Sequence, residues 1–483
     1  MSDATTAGLI EAEDLIEYGN QNYVRAVVGT QFDAHRSYQD ILNEDGGTPP
    51  ANLLSQGTHT PVSRSVPYKY YYDPQYVALE VENIWKKSWQ VACREEDLPQ
   101  VGDRVSYDVG PLSFLIVHTA AQEFKAFYNS CRHRGRRLCA DVKQSGDNIQ
   151  CPFHAWTYGL DGKLQWVPRQ EEFPGVTDKN FSLREVKCET WGGNVFINPD
   201  RAAPPLKQAL GVLAEHFSDC PTEDRYTAVR IRKKVRVNWK SGLEAFLEGY
   251  HVLTTHPSGM PMFGSTYTTI ECWDDAVSHV SRLVTPAVVA DGWIKNKIEP
   301  SIGLRLFCNA YGYRSPPKDR GLTIADARAF AAEVTAEKIL AESGVDVSDR
   351  PIGYLIDMVQ WFSFPAFFPW WGEGLAWWYN FTPLGESADE CVMEIRLTKP
   401  VPKDGPRPPA AAPVDIGFDD KGRNHPQTGA VGYIMDEDME NMEEVHKGMK
   451  AAREDSAFPV LATVQEERVR HFREVYAKAM GLN

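Results

Sequence analysis

Two short segments, CRH at 131–133 and CPFH at 151–154, bring two thiols and two imidazoles together with seventeen residues between them. Cys131, His133, Cys151 and His154 could hold a structural zinc. They could also hold a 2Fe–2S cluster in which both cysteines bind one iron and both histidines the other. Zinc modules usually pair cysteine with cysteine and histidine with histidine. Here each segment carries one of each, so two facing loops can put both sulfurs on one iron and both imidazoles on the second. A cluster would move electrons one at a time, whereas a zinc would add only folding free energy. The other cysteines (Cys93, Cys139, Cys188, Cys220, Cys272, Cys308, Cys391) are scattered singly, as reduced thiols are, and suggest no disulfide framework.

A one-electron carrier needs an acceptor, and a second group lies in EAFLEGYHVLTTHP at 244–257. If this stretch is one helix, Glu248 and His251 share a face. On a regular helix His251 and His256 are rotated by about 140°, too far for one metal. Pro257 disfavours α geometry at His256, so the helix is predicted to stop there and let the imidazole swing back. Two histidines and one carboxylate with open positions make the facial triad of Fe(II) centres that activate O2. Taken alone, the pair could equally be hydrogen-bonded core histidines.

Residues 1–65 read as a polar N-terminal extension. Its first part, LIEAEDLIEYGNQNYVRAV, is predicted helical and its end is rich in turn formers, so it is expected as an arm over the surface or a partner subunit. Residues 66–200 begin with PQYVALEVENIWKKSW, whose apolar spacing predicts a helix. Close-set β segments follow (RVSYDVG, LSFLIVHT, EFKAFYNS, DNIQCPFH, LQWVP, GGNVFINP), a small antiparallel domain with the Cys/His pairs on its loops. Residues 201–483 form a larger unit. VRIRKKVRVNWK, LFCNAYGYR, WFSFPAFFPW, GLAWWYNFTPL and CVMEIRLTKPV read as strands. TIADARAFAAEVTAEKILAESG reads as a helix that could cap the site, and MDEDMENMEEVHKGMKAAREDS as another near the C-terminus.

A formal charge of −15, with no Lys/Arg stripe, argues against a nucleic-acid partner. No run reaches the length of a membrane span, and the N-terminus lacks the basic and apolar regions of a signal peptide, so a cytoplasmic location is expected.

Arg134 and Gly135 follow the first Cys/His pair, Pro152 and Phe153 lie within the second, and Ala155 and Trp156 come after it. This setting resembles the cluster motif of Rieske non-haem iron oxygenases, and VNWKSGLEAFLEGYHVLTTHP is similar to the iron-binding segment of the family's catalytic (alpha) subunits. The resemblance covers roughly residues 70–480. It implies an α+β fold: a small antiparallel β Rieske domain and a larger catalytic domain with a curved antiparallel sheet and helices, START-like or helix-grip. It implies a 2Fe–2S cluster on Cys131, His133, Cys151 and His154, and a mononuclear Fe(II) on His251, His256 and a downstream aspartate, with O2 as cosubstrate. Asp438 matches that aspartate best, by the NME downstream of it; Asp436 competes and Glu437 fits less well.

Two residues depart from the family pattern. Glu248 stands where an aspartate usually bridges to a cluster histidine of the neighbouring subunit; the implied electron path is His154, Glu248, His251. Glu244 is followed by Ala245 where an asparagine is common. These departures lean toward a divergent, homotrimeric monooxygenase.

The implied function is that of a terminal oxygenase taking electrons from NAD(P)H through a separate reductase or ferredoxin, since no nucleotide fingerprint is present here. It would hydroxylate or dihydroxylate, or oxidatively demethylate, an apolar and aromatic substrate, as in aromatic catabolism. The implied assembly is a homotrimer, with or without a beta subunit. The aromatic tract at 361–381 supplies Trp370, Trp378 and Phe381 as candidate pocket residues, although such residues are more often core. The alternative is a zinc-stabilised binding protein, or a Rieske-type carrier in which His251 and His256 are structural.

Overall fold

The structure, a computed structural model, describes residues 36–62, 66–140, 143–294, 298–314, 316, 321–452 and 458–482. The predicted helix at 9–27 lies outside them. Asp73 caps the helix Pro74–Glu80 by accepting from the Gln75 amide, with Pro74 at the first helical position. The helix then widens into a π turn, Val81–Trp85, that buries Ile84 and Trp85.

Strands β1 (Gln90–Arg94), β2 (Arg104–Val109), β3 (Leu112–Ala120) and β4 (Glu123–Tyr128) precede the short strands β5 (Asn148–Gln150), β6 (Thr157–Gly159) and β7 (Leu164–Trp166). Strands β8 (Glu185–Trp191) and β9 (Asn194–Asn198) complete an antiparallel sheet of order β1-β9-β8-β4-β3-β2, and β5-β6-β7 form a second, smaller one. Alternation along β3 divides its side chains between two cores. Leu115 and Val117 pack with Phe127, Ile149, Tyr158 and the two motif cysteines. Phe114 and Ile116 face the other way, into the main core.

The larger sheet is built from β10 (Arg225–Val235), β11 (Thr269–Asp274), β12 (His279–Thr285), β13 (Met358–Ser363), β14 (Phe367–Trp371), β15 (Trp377–Pro383), β16 (Cys391–Pro400) and β17 (Pro413–Ile416), in the order β11-β12-β13-β14-β15-β16-β10-β17. Its pairs are antiparallel except the edge strand β17, which runs parallel to β10. Phe362, Phe368, Tyr379, Phe381 and Met393 on one face share a core with Trp239, Leu243, Met435, Met439 and Phe472. Those partners belong to the helices Trp239–Glu244, Gly429–Ala451 and Glu467–Met480. The sheet therefore holds, through its core, the helix that carries Asp438 and the helix that leads into the segment of His251 and His256. This is the expected α+β architecture, and no helix among the described residues is long and apolar enough to cross a membrane.

Several elements differ from expectation. LFCNAYGYR forms the end of a helix, Pro300–Tyr311, started by Pro300 and stabilised by burial of Ile302, Leu306 and Phe307; tertiary packing overrides the β preference of its aromatics. WFSFPAFFPW is two strands, β13 and β14, turned at Phe364–Pro365. The helix Ile324–Ser343 has the Thr323–Asp326 capping box. Instead of capping the histidines, it packs on the helices Pro300–Tyr311, Ile352–Ile356 and Tyr38–Glu44. There its buried Arg328 pairs with Asp45 at 2.7 Å and Asp357 at 2.8 Å. Residues 36–62 accordingly do not stand off as an arm: Tyr38, Ile41, Leu42 and Leu53 are buried, and Tyr38 donates to Asp357.

Candidate functional site

The two Cys/His segments fold alike. The Cys131 amide donates to Arg136 O and the Gly135 amide to Cys131 O, while the Cys151 amide donates to Trp156 O and the Ala155 amide to Cys151 O. In each loop the fourth residue after the cysteine is left-handed, Gly135 at φ +78° and Ala155 at φ +58°. Ala155 takes this conformation at a steric cost that the surrounding loop must sustain. The rings of His133 and His154 lie 4.7 Å apart, and Trp156 stacks on His133 at 4.9 Å and 5°. The Tyr158 hydroxyl accepts from the Arg132 amide at 3.0 Å and lies 3.3 Å from Cys131 Sγ.

The donor set suits a two-iron cluster. Cys131 and Cys151 are buried, and the Nδ1 atoms of His133 and His154 are buried without a hydrogen-bond partner. Burial holds His133 below its ordinary pKa, leaving a neutral ring able to ligate. Among the described residues, the sets whose ligand atoms lie within 4.8 Å of one another are His251/His256/Asp438 and His59/Asp274/His471. The Cys/His four are not one of these tight sets. That separation suits sulfurs and nitrogens on different irons and not a single tetrahedral zinc.

The second group is not on one helix. Asn238 caps Trp239–Glu244, a 3-10 turn follows over Ala245–Leu247, and Glu248 is extended. The Glu248 carboxylate accepts from the amides of Tyr250 and His251, taking backbone donors that a continuous helix would have used. A short helix, Val252–Thr255, then ends at His256 before Pro257. This break, with the stop at Pro257, brings the two imidazole centroids to 5.2 Å.

His256 Nε2 lies 2.8 Å from Asp438 Oδ1, and His251 Nε2 lies 3.5 Å from the same oxygen. The outer ring nitrogens are also held: His251 Nδ1 by Glu248 Oε1 at 2.8 Å, and His256 Nδ1 by Glu437 Oε2 at 2.8 Å. Burial opposes charge on His256, but Asp438 and Glu437 outweigh it and push its pKa up to about 9. A point that draws a proton so strongly between two nitrogens and a carboxylate also favours a divalent cation, and the three converging atoms fit the facial triad.

Asp436 is engaged elsewhere: it accepts from the Gly422 amide at 2.6 Å and from Arg423 Nε at 2.7 Å. Glu437, the least favoured carboxylate in the sequence, proves to orient His256, a role that depends on helix phase and that its neighbours in sequence do not signal. Glu244 forms a buried pair with Arg473 at 2.9 and 2.7 Å and accepts from Tyr71 at 2.7 Å, joining its helix to the C-terminal one. Trp370 and Phe381 share a core with Trp239, Leu247, Met435 and Met439. Trp378 does not: three positions from Phe381 on β15, it points to the opposite face, among Trp361, Phe367 and Trp371. A groove of about 1620 Å³ runs between the two units past Tyr107, Arg137, Arg230, Glu394 and Pro413, and none of its lining residues belongs to the His251/His256/Asp438 set.

Comparison with known proteins adds two family matches: the Rieske 2Fe-2S domain over residues 88–186, and the ring hydroxylating alpha subunit catalytic domain over residues 221–301. Among curated relatives, the glycine betaine monooxygenase oxygenase subunit of Pseudomonas aeruginosa is 30% identical over 261 residues, which is 53% of this chain and 58% of the relative. The carnitine monooxygenase oxygenase subunit of Escherichia coli is 31% identical over 40% of this chain and 52% of its own. The biphenyl 2,3-dioxygenase alpha subunit of Rhodococcus jostii is 32% identical over 39% and 43%. The chain thus spans 58% or less of the length of these relatives. The fold is similar to that of a quaternary ammonium Rieske monooxygenase in complex with L-carnitine, with a TM-score of 0.59 and 17% identity, covering 87% of this chain and 96% of that one. It is also similar to naphthalene 1,2-dioxygenase from Rhodococcus sp. bound to indole, with a TM-score of 0.59 and 17% identity over 86% and 94%.

Proposed function

We propose that this chain, which matches the Rieske 2Fe-2S domain and the ring hydroxylating alpha subunit catalytic domain, is a terminal oxygenase that oxidises an organic substrate with O2. Electrons would come from NAD(P)H through a separate reductase or ferredoxin. In this reading Cys131 and Cys151 hold one cluster iron, His133 and His154 the other, and His251, His256 and Asp438 the mononuclear Fe(II). When bound, the cluster supplies single electrons and the Fe(II) supplies O2 activation. The observation that carries the reading is the convergence of both Nε2 atoms on Asp438 Oδ1, while both Nδ1 atoms are held by carboxylates.

The chain's own residues then do the positioning. Glu248 and Glu437 fix the tautomer and direction of the two rings, leaving each Nε2 free to ligate. Glu248 also lies beside Tyr250, which is 52% exposed, and the cluster loop presents Phe153, 53% exposed. Two such surfaces support a head-to-tail homotrimer in which His154 of one subunit donates to Glu248 of the next.

An aromatic substrate is one reading of the apolar wall formed by Phe246, Trp370 and Phe381. The second reading is a quaternary ammonium compound, favoured by the glycine betaine and carnitine monooxygenase relatives. The test is anaerobic reconstitution, followed by substrate-dependent O2 uptake with a generic reductase over a panel of aromatic and quaternary ammonium compounds. Retention of the cluster irons alone, with His251→Ala behaving as wild type, would overturn the oxygenase reading and leave an electron carrier.

A further inference from the structure

A second convergence of metal-binding groups joins the N-terminal segment to the C-terminal helix. The amides of Thr58 and His59 both donate to Cys272 O, at 3.1 and 3.0 Å, and the Gly57 amide donates to Glu271 Oε1 at 2.7 Å. These bonds lay residues 57–59 along β11 and set His59 beside Asp274 at that strand's end. On the helix Glu467–Met480, His471, Glu474 and Lys478 follow at i, i+3 and i+7 and so share one face. One ligand atom from each of His59, Asp274 and His471 lies within 4.8 Å of the others. The rings of His59 and His471 are 5.5 Å apart.

His471 supplies the independent sign of a missing ligand. It is 1% exposed, and neither of its ring nitrogens has a hydrogen-bond partner. Its Nε2 stops 3.7 Å from Asp274 Oδ1, beyond hydrogen-bonding reach. A buried imidazole with both nitrogens unmet is costly, and a cation at the convergence point meets one of them. The other groups facing the point are His279, which bonds Asp274 Oδ1, and Lys478, which lies 2.6 Å from Asp274 Oδ2 and 3.3 Å from Glu474 Oε1. One ammonium between two carboxylates leaves the cluster a net negative charge for a cation to neutralise.

We propose that His59, Asp274 and His471 bind a divalent cation of the zinc class, and that this ion pins the N-terminal segment to the last helix. Glu474 Oε2 lies 3.0 Å from His59 Nε2 and holds that ring, and a zinc with three protein ligands keeps its fourth position for water. Imidazole nitrogens select zinc over magnesium or calcium, which take oxygen ligands. His59 and His471 lie outside both segments matched by the family models, and the site needs neither the cluster nor the mononuclear iron.

The experiment uses iron-replete protein dialysed against zinc chloride, with zinc and iron per chain measured together. The expected result is one zinc per chain with no iron displaced, a higher melting temperature in zinc, and an anomalous difference peak between His59 and His471 in zinc-soaked crystals. His59 is partly exposed, so His59→Gln leaves the helix core intact; it is expected to weaken zinc binding by roughly tenfold or more and to abolish the melting shift. His251→Ala is expected to keep the zinc. No zinc beyond the iron sites, an anomalous peak elsewhere, or unchanged affinity in His59→Gln would each overturn the proposal.

Discussion

Glu437 Oε2 stands 2.8 Å from His256 Nδ1, and Asp438 Oδ1 stands 2.8 Å from Nε2 of the same ring. Consecutive residues of one helix thus grip the two edges of one imidazole. A carboxylate behind a metal-bound histidine fixes its tautomer and raises its basicity, and losing it typically costs 10–100-fold in metal affinity. Glu437→Ala is therefore expected to lose mononuclear iron by about that factor and to keep the cluster. Iron content after desalting, read beside the visible cluster spectrum, checks this; full iron retention would reduce Glu437 to a surface residue.

Glu248 acts on the other ring by two routes. It holds His251 Nδ1 at 2.8 Å, and its carboxylate takes the backbone donors that break the helix. Glu248→Gln preserves an acceptor for the backbone and removes the charge. It is expected to keep the fold and cluster while slowing product formation by about 10–100-fold. Glu248→Ala should in addition lower iron content. Equal iron loss in both variants would show that the charge, and not the turn, is what positions His251.

The candidate metal ligands can be picked out in the sequence because they are close together: both Cys/His pairs sit in single loops, and His251 and His256 straddle one turn before Pro257. What escaped depends on geometry. The stretch 241–256 reads as one helix, and nothing in it shows the Glu248 carboxylate competing for amides. Asp438 was separable from Asp436 only by family resemblance, and Glu437 gained its role from the phase of a helix about 180 residues after His256. Trp378 lies in a different core from Trp370 and Phe381 because an aromatic run on a strand alternates between two faces, which an aromatic tract alone does not show. His59 and His471 sit at opposite ends of the chain, where no spacing rule could join them.

Tyr158 was also missed, although its strand follows directly from the second Cys/His loop. Its hydroxyl lies 3.3 Å from Cys131 Sγ. A hydrogen bond to a cluster sulfur stabilises the reduced, more negative state and raises the reduction potential. One such bond is worth roughly 0.5–1.5 kcal/mol, equivalent to about 20–65 mV for a one-electron couple. Tyr158→Phe is expected to lower the potential by that amount with the cluster intact. Redox titration followed by EPR measures it, and an unchanged or raised potential would refute the contact.

The last prediction concerns acid sensitivity away from both metal centres. His216 is buried beside Trp361, and Arg282 Nη1 donates to its Nδ1 at 3.1 Å. Burial first, and the Arg282 charge second, push its pKa down to about 4. The unfolded chain titrates this ring near 6.5. Above that pH the ring is neutral in both states and the stability it contributes is fully present. As pH falls toward 4 the unfolded chain gains a proton that the folded one refuses, so stability falls by roughly 3 kcal/mol over that window. His216→Gln keeps an acceptor for Arg282 and removes the titration. Denaturant unfolding at pH 7 and pH 4.5 should show wild type losing roughly 2–3 kcal/mol more than the variant. Comparing the two proteins cancels any acid loss of the cluster, because both carry the same Cys131 and His133 loops. Equal losses would mean that His216 is protonated in the folded protein and that Arg282 moves away to permit it.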